Sequence, residues 1–219
     1  MGTLTAESLI AQASELAQDE DNLVWTAPQA LAWLNDAQRV VSMLRPDASV
    51  LSRSIVLVPG TRQSIEGLRL MAVVRNMGSD GTTPGRAIRL VDRAVKDEVE
   101  PWWHTVSGGV EVREYIYDVR APKEFFVSPP VHESTPTQIE VLEAVTPENL
   151  GVIGDTITIA DSYAPALIEW IAYRFFSRDA EEAPNMARAT AHYSRTFELL
   201  QVDLRTDMEM NPKNREHLT

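Results

Sequence analysis

Apolar residues recur every three or four positions at both ends of this chain and every second position through its middle. Leu4, Leu9, Ala13 and Leu16 predict a short first helix over Leu4–Leu16, running into the acidic Asp19-Glu20-Asp21. Thr26 followed by Gln29 has capping-box spacing, with Pro28 in the first turn, where its missing N–H costs little. Leu31, Leu34, Ala37, Val41 and Leu44 then carry a second helix to about Arg45, stopped before Pro46. Near the other end, Ala164–Arg178 and Asn185–Arg205 are two adjacent amphipathic helices joined by Asp179-Ala180-Glu181-Glu182-Ala183-Pro184. One is striped by Ala164, Leu167, Ile168, Ile171, Ala172 and Phe175, the other by Met186, Ala189, Tyr193, Phe197, Leu200 and Leu204. From Met208 to Thr219 the period is lost, which predicts a mobile tail ordered only by a partner.

Between these ends the period is two. Ile55 and Leu57 lead through the Pro59-Gly60 turn to Arg62-Gln63-Ser64-Ile65, the form of a hairpin, and Leu68–Val74 is a third strand. Gly78–Gly85 reads as a flexible surface loop, and with no lysine in it the loop is not a phosphate cradle. Arg86–Val99 reads as a short helix or extended arm. Val110–Asp118, Glu124–Val127, Gln138–Leu142 and Asp155–Ile159 are four further strands, and Pro129-Pro130 and Pro136 hold a connecting loop extended. The expected class is α+β: a helical bundle built from residues 1–50 and 161–207, an inserted antiparallel β domain over 51–160, and a C-terminal tail over 208–219.

Composition narrows the chemistry. At 219 residues with 44% hydrophobic content the chain buries a core of its own. With no cysteine it has no disulfide, thiolate nucleophile or cysteine-ligated metal, and a reducing cytoplasm fits. Met1–Glu7 has neither a basic nor an apolar leader region, and no apolar run reaches membrane length, so neither secretion nor a membrane span is expected. Gly2 with Ala6 is a poor myristoylation match. The net charge of −12 disfavours tight binding to nucleic acid or anionic lipid.

That charge is unevenly placed. Over Arg53–Arg93 seven arginines face only Glu66, Asp80 and Asp92, whereas Asp97–Glu148 holds eleven carboxylates against Arg113, Arg120 and Lys123. A bipolar subunit of this kind can pair head to side with its own copies, the Arg53–Arg93 stretch meeting an acidic neighbour, so that charge reversal at Arg86 and Arg89 should weaken the pairing. The plainer reading is solvated strand faces.

Candidate reactive groups do not assemble into a signature. His104, His132, His192 and His217 lack the i, i+3 or i, i+4 spacing of a metal pair. His104 beside Trp102 and Trp103 has the makings of a stacking platform for a sugar or base, though tandem tryptophans near a proline more often pin a loop to a core. Asp118 and Glu124 are the pair that glycoside hydrolysis would require if they met across a turn. Ser52, Ser54, Ser107 and Ser128 have no Gly-x-Ser-x-Gly setting. Arg174 and Arg178, with Glu181 following, read as an exposed helix face. No catalytic, cofactor-binding or metal-ligating residue is assigned, and no cofactor is expected.

Several strings, taken in order, resemble one family. They are Trp33-Leu34-Asn35-Asp36-Ala37-Gln38-Arg39, Pro59-Gly60-Thr61-Arg62-Gln63, Val91-Asp92-Arg93, Pro101-Trp102-Trp103-His104, Phe126-Val127-Ser128-Pro129-Pro130 and Ala187-Arg188-Ala189-Thr190-Ala191-His192-Tyr193. Together they resemble head-to-tail adaptor (connector) proteins of short-tailed bacteriophages, over roughly Trp25 to Phe197. The resemblance implies a non-enzymatic virion protein at the head–tail interface, made in the bacterial host cytoplasm. It implies a ring, commonly of twelve copies, with the portal protein and the tail nozzle or tail-tube protein as partners. DNA would pass through the lumen without specific binding, and no membrane is involved. It gives no catalytic residues to carry over. A tail-tube or nozzle subunit, or a tail-associated polysaccharide-cleaving enzyme using Asp118 and Glu124, are the competing readings. The tail from Met208 is expected to insert against the portal.

Overall fold

The computed structural model describes residues 2–19, 24–134, 136–178 and 183–210, with side chains in the last stretch over 184–201. In chain order the elements are α1 (Ala6–Ala17), α2 (Ala27–Leu44), β1 (Val50–Val56), β2 (Gly60–Ser64), β3 (Arg69–Met77), β4 (Pro84–Ala87) and β5 (Arg89–Leu90). They continue as α3 (Arg93–Val99), β6 (Glu114–Tyr117), β7 (Glu124–Val131), β8 (Gln138–Ala144), α4 (Ala164–Arg178) and α5 (Ala183–Met210). The class is α+β, and the chain divides into a helical unit, 1–49 with 146–219, and a β unit, 50–145.

In the helical unit the capping signal is realised. Thr26 N donates to Gln29 Oε1 (3.1 Å) at the start of α2, as its spacing predicts, and α1 begins at Ala6, later than the expected Leu4, because Thr5 caps it with Oγ1 accepting from Ser8 N. Helix α4 packs against α1, α2 and α5. Leu9, Leu34, Leu167 and Ile171 are fully buried in the shared core. Asp19, read as part of an acidic surface run, is instead buried and accepts from the backbone N–H groups of Val24 and Trp25.

Three expectations for this unit change. Asp155–Ile159 alternates like a strand because Ile157 and Ile159 are buried, but they enter the helical core, and only Thr5 and Thr156 form a bridge. Residues 146–160 accordingly fall with the helices and outside the β unit. The inward side of α5 carries Ala189, Thr196 and Leu200, whereas Met186 and Tyr193 of the expected stripe are half exposed. Thr196 is tolerated inside because its hydroxyl donates to His192 O at 3.0 Å. Finally, α5 continues past Arg205 to Met210, taking in the first residues of the expected tail; 211–219 and the linker residues 179–182 lie outside the described residues.

The Trp33–Arg39 string turns out to stitch α2 to the extended segment before α4. Asn35 makes two hydrogen bonds with the backbone of Leu150 (3.1 and 2.8 Å). Gln38 Oε1 accepts from Thr158 N (2.9 Å), and Arg39 donates to Asn149. Backbone groups without a sheet partner are thereby satisfied by side-chain amides.

The β unit has two four-stranded sheets, ordered β1-β8-β3-β4 and β2-β7-β6-β5, sharing a core around Val73, Phe125, Val127, Ile139 and Val141. Among the described residues the strand ladders are antiparallel except the two-residue β5–β6 ladder, which is parallel, as is the isolated Gly109–Val131 bridge. The expected Ile55–Ile65 hairpin does not form: β1 pairs with β8 and β2 with β7. Pro59-Gly60 is the corner at which the chain changes sheets. Gly60 has φ +98°, a value that favours glycine, and the buried Gln63 amide bonds Val58 N (2.9 Å) and Val58 O (2.8 Å) across the corner.

Pro129 and Pro130, expected in a loop, lie in β7 where its register with β2 shifts, so their missing N–H groups fall in an irregular stretch. Val110–Arg113 is not strand. The buried Asn76 side chain replaces a partner there, accepting from Val112 N (2.8 Å) and donating to Val112 O (2.7 Å) and Arg86 O (3.0 Å). Of the Arg86–Val99 stretch, expected as a helix or arm, residues 86–87 end β4 and 89–90 form β5, and helix runs only over Arg93–Val99. The Gly78–Gly85 loop closes the β3–β4 hairpin, tied by Asp80, which accepts from Thr82 N, Thr83 N and Thr83 Oγ1.

Candidate functional site

The most unusual surface of the β unit is built by α3 and the turn after it. Asp92 caps α3 by accepting from Ala94 N (2.8 Å) and Val95 N (3.3 Å). The helix is inside out. Lys96 is buried, its Nζ donating to Glu100 Oε2 (2.8 Å) and Glu114 Oε2 (2.7 Å), and Arg89 bonds the other oxygen of Glu114 (2.8 Å). Burial opposes charge on Lys96, but the two carboxylates outweigh it and hold its pKa above the ordinary lysine value. The Lys96 hydrogen bond in turn holds Glu114 below the usual carboxylate range. With the lysine inward, Val95 and Val99 face solvent at 55% and 71% exposure.

Pro101-Trp102-Trp103-His104 continues this surface and separates its two tryptophans. Trp103 is buried, donates Nε1–H to Asp97 Oδ1 (2.8 Å), and stacks on His104 at 3.6 Å between centroids. It meets Phe126 edge-on, while His104 Nδ1 lies 2.9 Å from Thr61 Oγ1. Arg93 sits over the Phe126 ring. Trp103 is therefore the pin expected of such a string. Trp102 is free of it and 76% exposed.

The two opposed charge stretches seen in the sequence largely neutralise each other inside this unit. Arg62 pairs with Glu124, Arg75 with Glu140, Arg89 with Glu114 and Arg93 with Asp97. Arg53 lies 2.6 Å from the buried Glu143, off the N–H axis, and also bonds Glu66. Arg86 and Arg113 are exposed and enter no ion pair among the described residues.

The other sequence candidates are scattered. Asp118 and Glu124 line one cavity of about 820 Å3 with Asp92, Arg93 and Phe126, yet each has its own arginine. Arg120 donates to both oxygens of Asp118 and lowers its pKa to about 2, the wrong direction for a general acid. His132 accepts from Ser134 N, and His192 Nδ1 lies 2.6 Å from Glu169 Oε2; His217 lies outside the described residues. Ser52 donates to Glu140 and Ser54 to Gly81 O. Arg174 reaches Asp36 at 3.7 Å, and with Arg178 and Trp33 it lines a shallow cavity of about 490 Å3. Among the described residues no three His, Asp or Glu side chains are placed to hold a metal. No helix there is long and apolar enough to cross a membrane.

Sequence reasoning missed the Val95–Val99 face. Its signal was present, a lone lysine between two valines with Glu100 four residues on, but a helical period alone turns valines inward.

A chain whose most unusual surface is an apolar stripe with a tryptophan at its end belongs to the class of proteins that dock to others. The sequence matches the SU10 adaptor protein family over residues 4–216, through both units, and the chain belongs to that family. It is a bacteriophage adaptor, a structural protein associated with the virion. No curated protein matches it.

Proposed function

We propose that this protein is the head-to-tail adaptor of its phage, a ring of about twelve copies between the portal and the tail nozzle that continues the DNA channel. The observation that carries the reading is the family match across residues 4–216, which includes both units. The charge of −12 supports it, because an acidic lumen lets DNA pass without adhering. The protein works by contact and not by catalysis: its candidate carboxylates are occupied by arginines. The C-terminal segment from Met208 inserts against the portal. The test is assembly without this chain. Packaged, tailless heads should accumulate, and adding the purified protein should restore tail attachment; tailed, infectious particles formed in its absence would overturn the reading.

A further inference from the structure

We infer that the outward face of α3 and Trp102 is the surface by which one copy of this chain docks onto the next, in the ring proposed above, on which this inference rests. Val95, Val99 and Trp102 are spaced by four and three residues and stand more than half exposed, beside Val106 at 46%. The cost of that exposure is not a packing accident, because the same helix holds a lysine inward on two carboxylates. A helix that buries its charge and shows its valines has its apolar side committed to something else.

Charge decides what that something is. The stripe is rimmed by Asp97, Glu98 and Glu100, all exposed. On a protein of net charge −12 a second copy would be repelled unless it offered cations, and the same β unit does so. Arg86 and Arg113, without ion pairs among the described residues, are held together where Asn76 donates to Arg86 O and Val112 O, next to Val110 at 64% exposure. The apolar stripe with an acidic rim and the basic edge with an exposed valine sit on different elements of one chain. A contact between two different patches is heterologous, and copies joined that way close into a ring when the rotation permits. Trp102 is then the anchor, and Glu98 faces Arg113 of the next copy.

The experiment titrates the full-length chain onto its portal oligomer and reads occupancy by native mass spectrometry, since contacts between neighbours fill the ring cooperatively. Trp102→Ser, Glu98→Arg and Arg113→Glu, each checked for folding by circular dichroism, should lower completed rings by about tenfold, as for an interface anchor or its charged partner. The first copy should bind the portal as before, and the double variant Glu98→Arg with Arg113→Glu should recover ring formation. Complete rings from Trp102→Ser would overturn the inference and leave the ring intact. Weakened binding of the first copy, with cooperativity unchanged, would assign the stripe to the portal and overturn it equally. Failure of the unaltered chain to form any ring would remove both the inference and the ring reading.

Discussion

The helical and β units solve the same problem, satisfying polar groups around a buried core, by different means. Among its described residues the helical unit buries only isolated charges, Asp19 on backbone N–H groups and Arg45 beside Asp47, and joins α2 to the chain before α4 with neutral amides, Asn35 on Leu150 and Gln38 on Thr158. The β unit carries charge into its framework, with Lys96 and Glu143 both buried and arginines paired across strands. The difference teaches where each unit is sensitive: the first to loss of packing, the second to loss of pairing and to pH.

Core truncation gives the largest effects and tests whether the units lose stability separately. Phe125→Ala should cost about 4 kcal/mol and Leu167→Ala about 3 kcal/mol, since both side chains are fully buried. Chemical denaturation should show the first as a loss confined to β signals and the second to helical ones; a single transition moving equally in both would mean that the units unfold together.

Next come the amides that replace strand partners. Asn76→Leu leaves two backbone carbonyls and one N–H of the β unit unpaired and should cost about 3 kcal/mol. Gln38→Leu strands only Thr158 and should cost about 1 kcal/mol. Equal losses by urea titration would erase the distinction drawn between the two units.

Acid should separate them further. In the β unit the pKa values of Asp97, Glu114, Asp118 and Glu140 are lowered by hydrogen bonds from Trp103, Lys96, Arg120 and Ser52 respectively. In the helical unit Asp161, bonded by Thr3, and Asp47, where Arg45 outweighs burial, are lowered too. A carboxylate depressed on folding stabilises above its unfolded value near 4, and that contribution is lost as pH falls through the folded value. For Asp118 the window runs from about 4 to about 2. On acidification below pH ~4 the β signals should fall first. Loss of helix first would contradict this.

The smallest effect is a gain. Gln18 ends α1 with φ +58°, a left-handed conformation that glycine adopts more cheaply. Gln18→Gly should add about 0.5 kcal/mol, seen as a small rise in the helical midpoint.

Periodicity and caps made the helices and most strands readable because they are local. The α2 start was written in Thr26 with Gln29, whereas the Thr5 cap, which delays α1 to Ala6, was not read. What escaped was decided by distant partners. Pro59-Gly60 marks a turn, but only Gln63 and the β8 and β7 pairings make it a corner between sheets. Ile157 and Ile159 alternate like a strand, yet the surface that buries them is helical. The same holds for the α3 face: Lys96 turns inward only because Glu114, eighteen residues later, is there to receive it. Trp103 was readable as a pin, and the exposure of Trp102 was not.

The most direct measurement is native mass spectrometry of the purified chain alone and mixed with the portal protein of its phage. An adaptor of the kind proposed gives a discrete complex with about one copy per portal subunit. A chain that does not bind the portal under conditions where the portal oligomer is intact would contradict it.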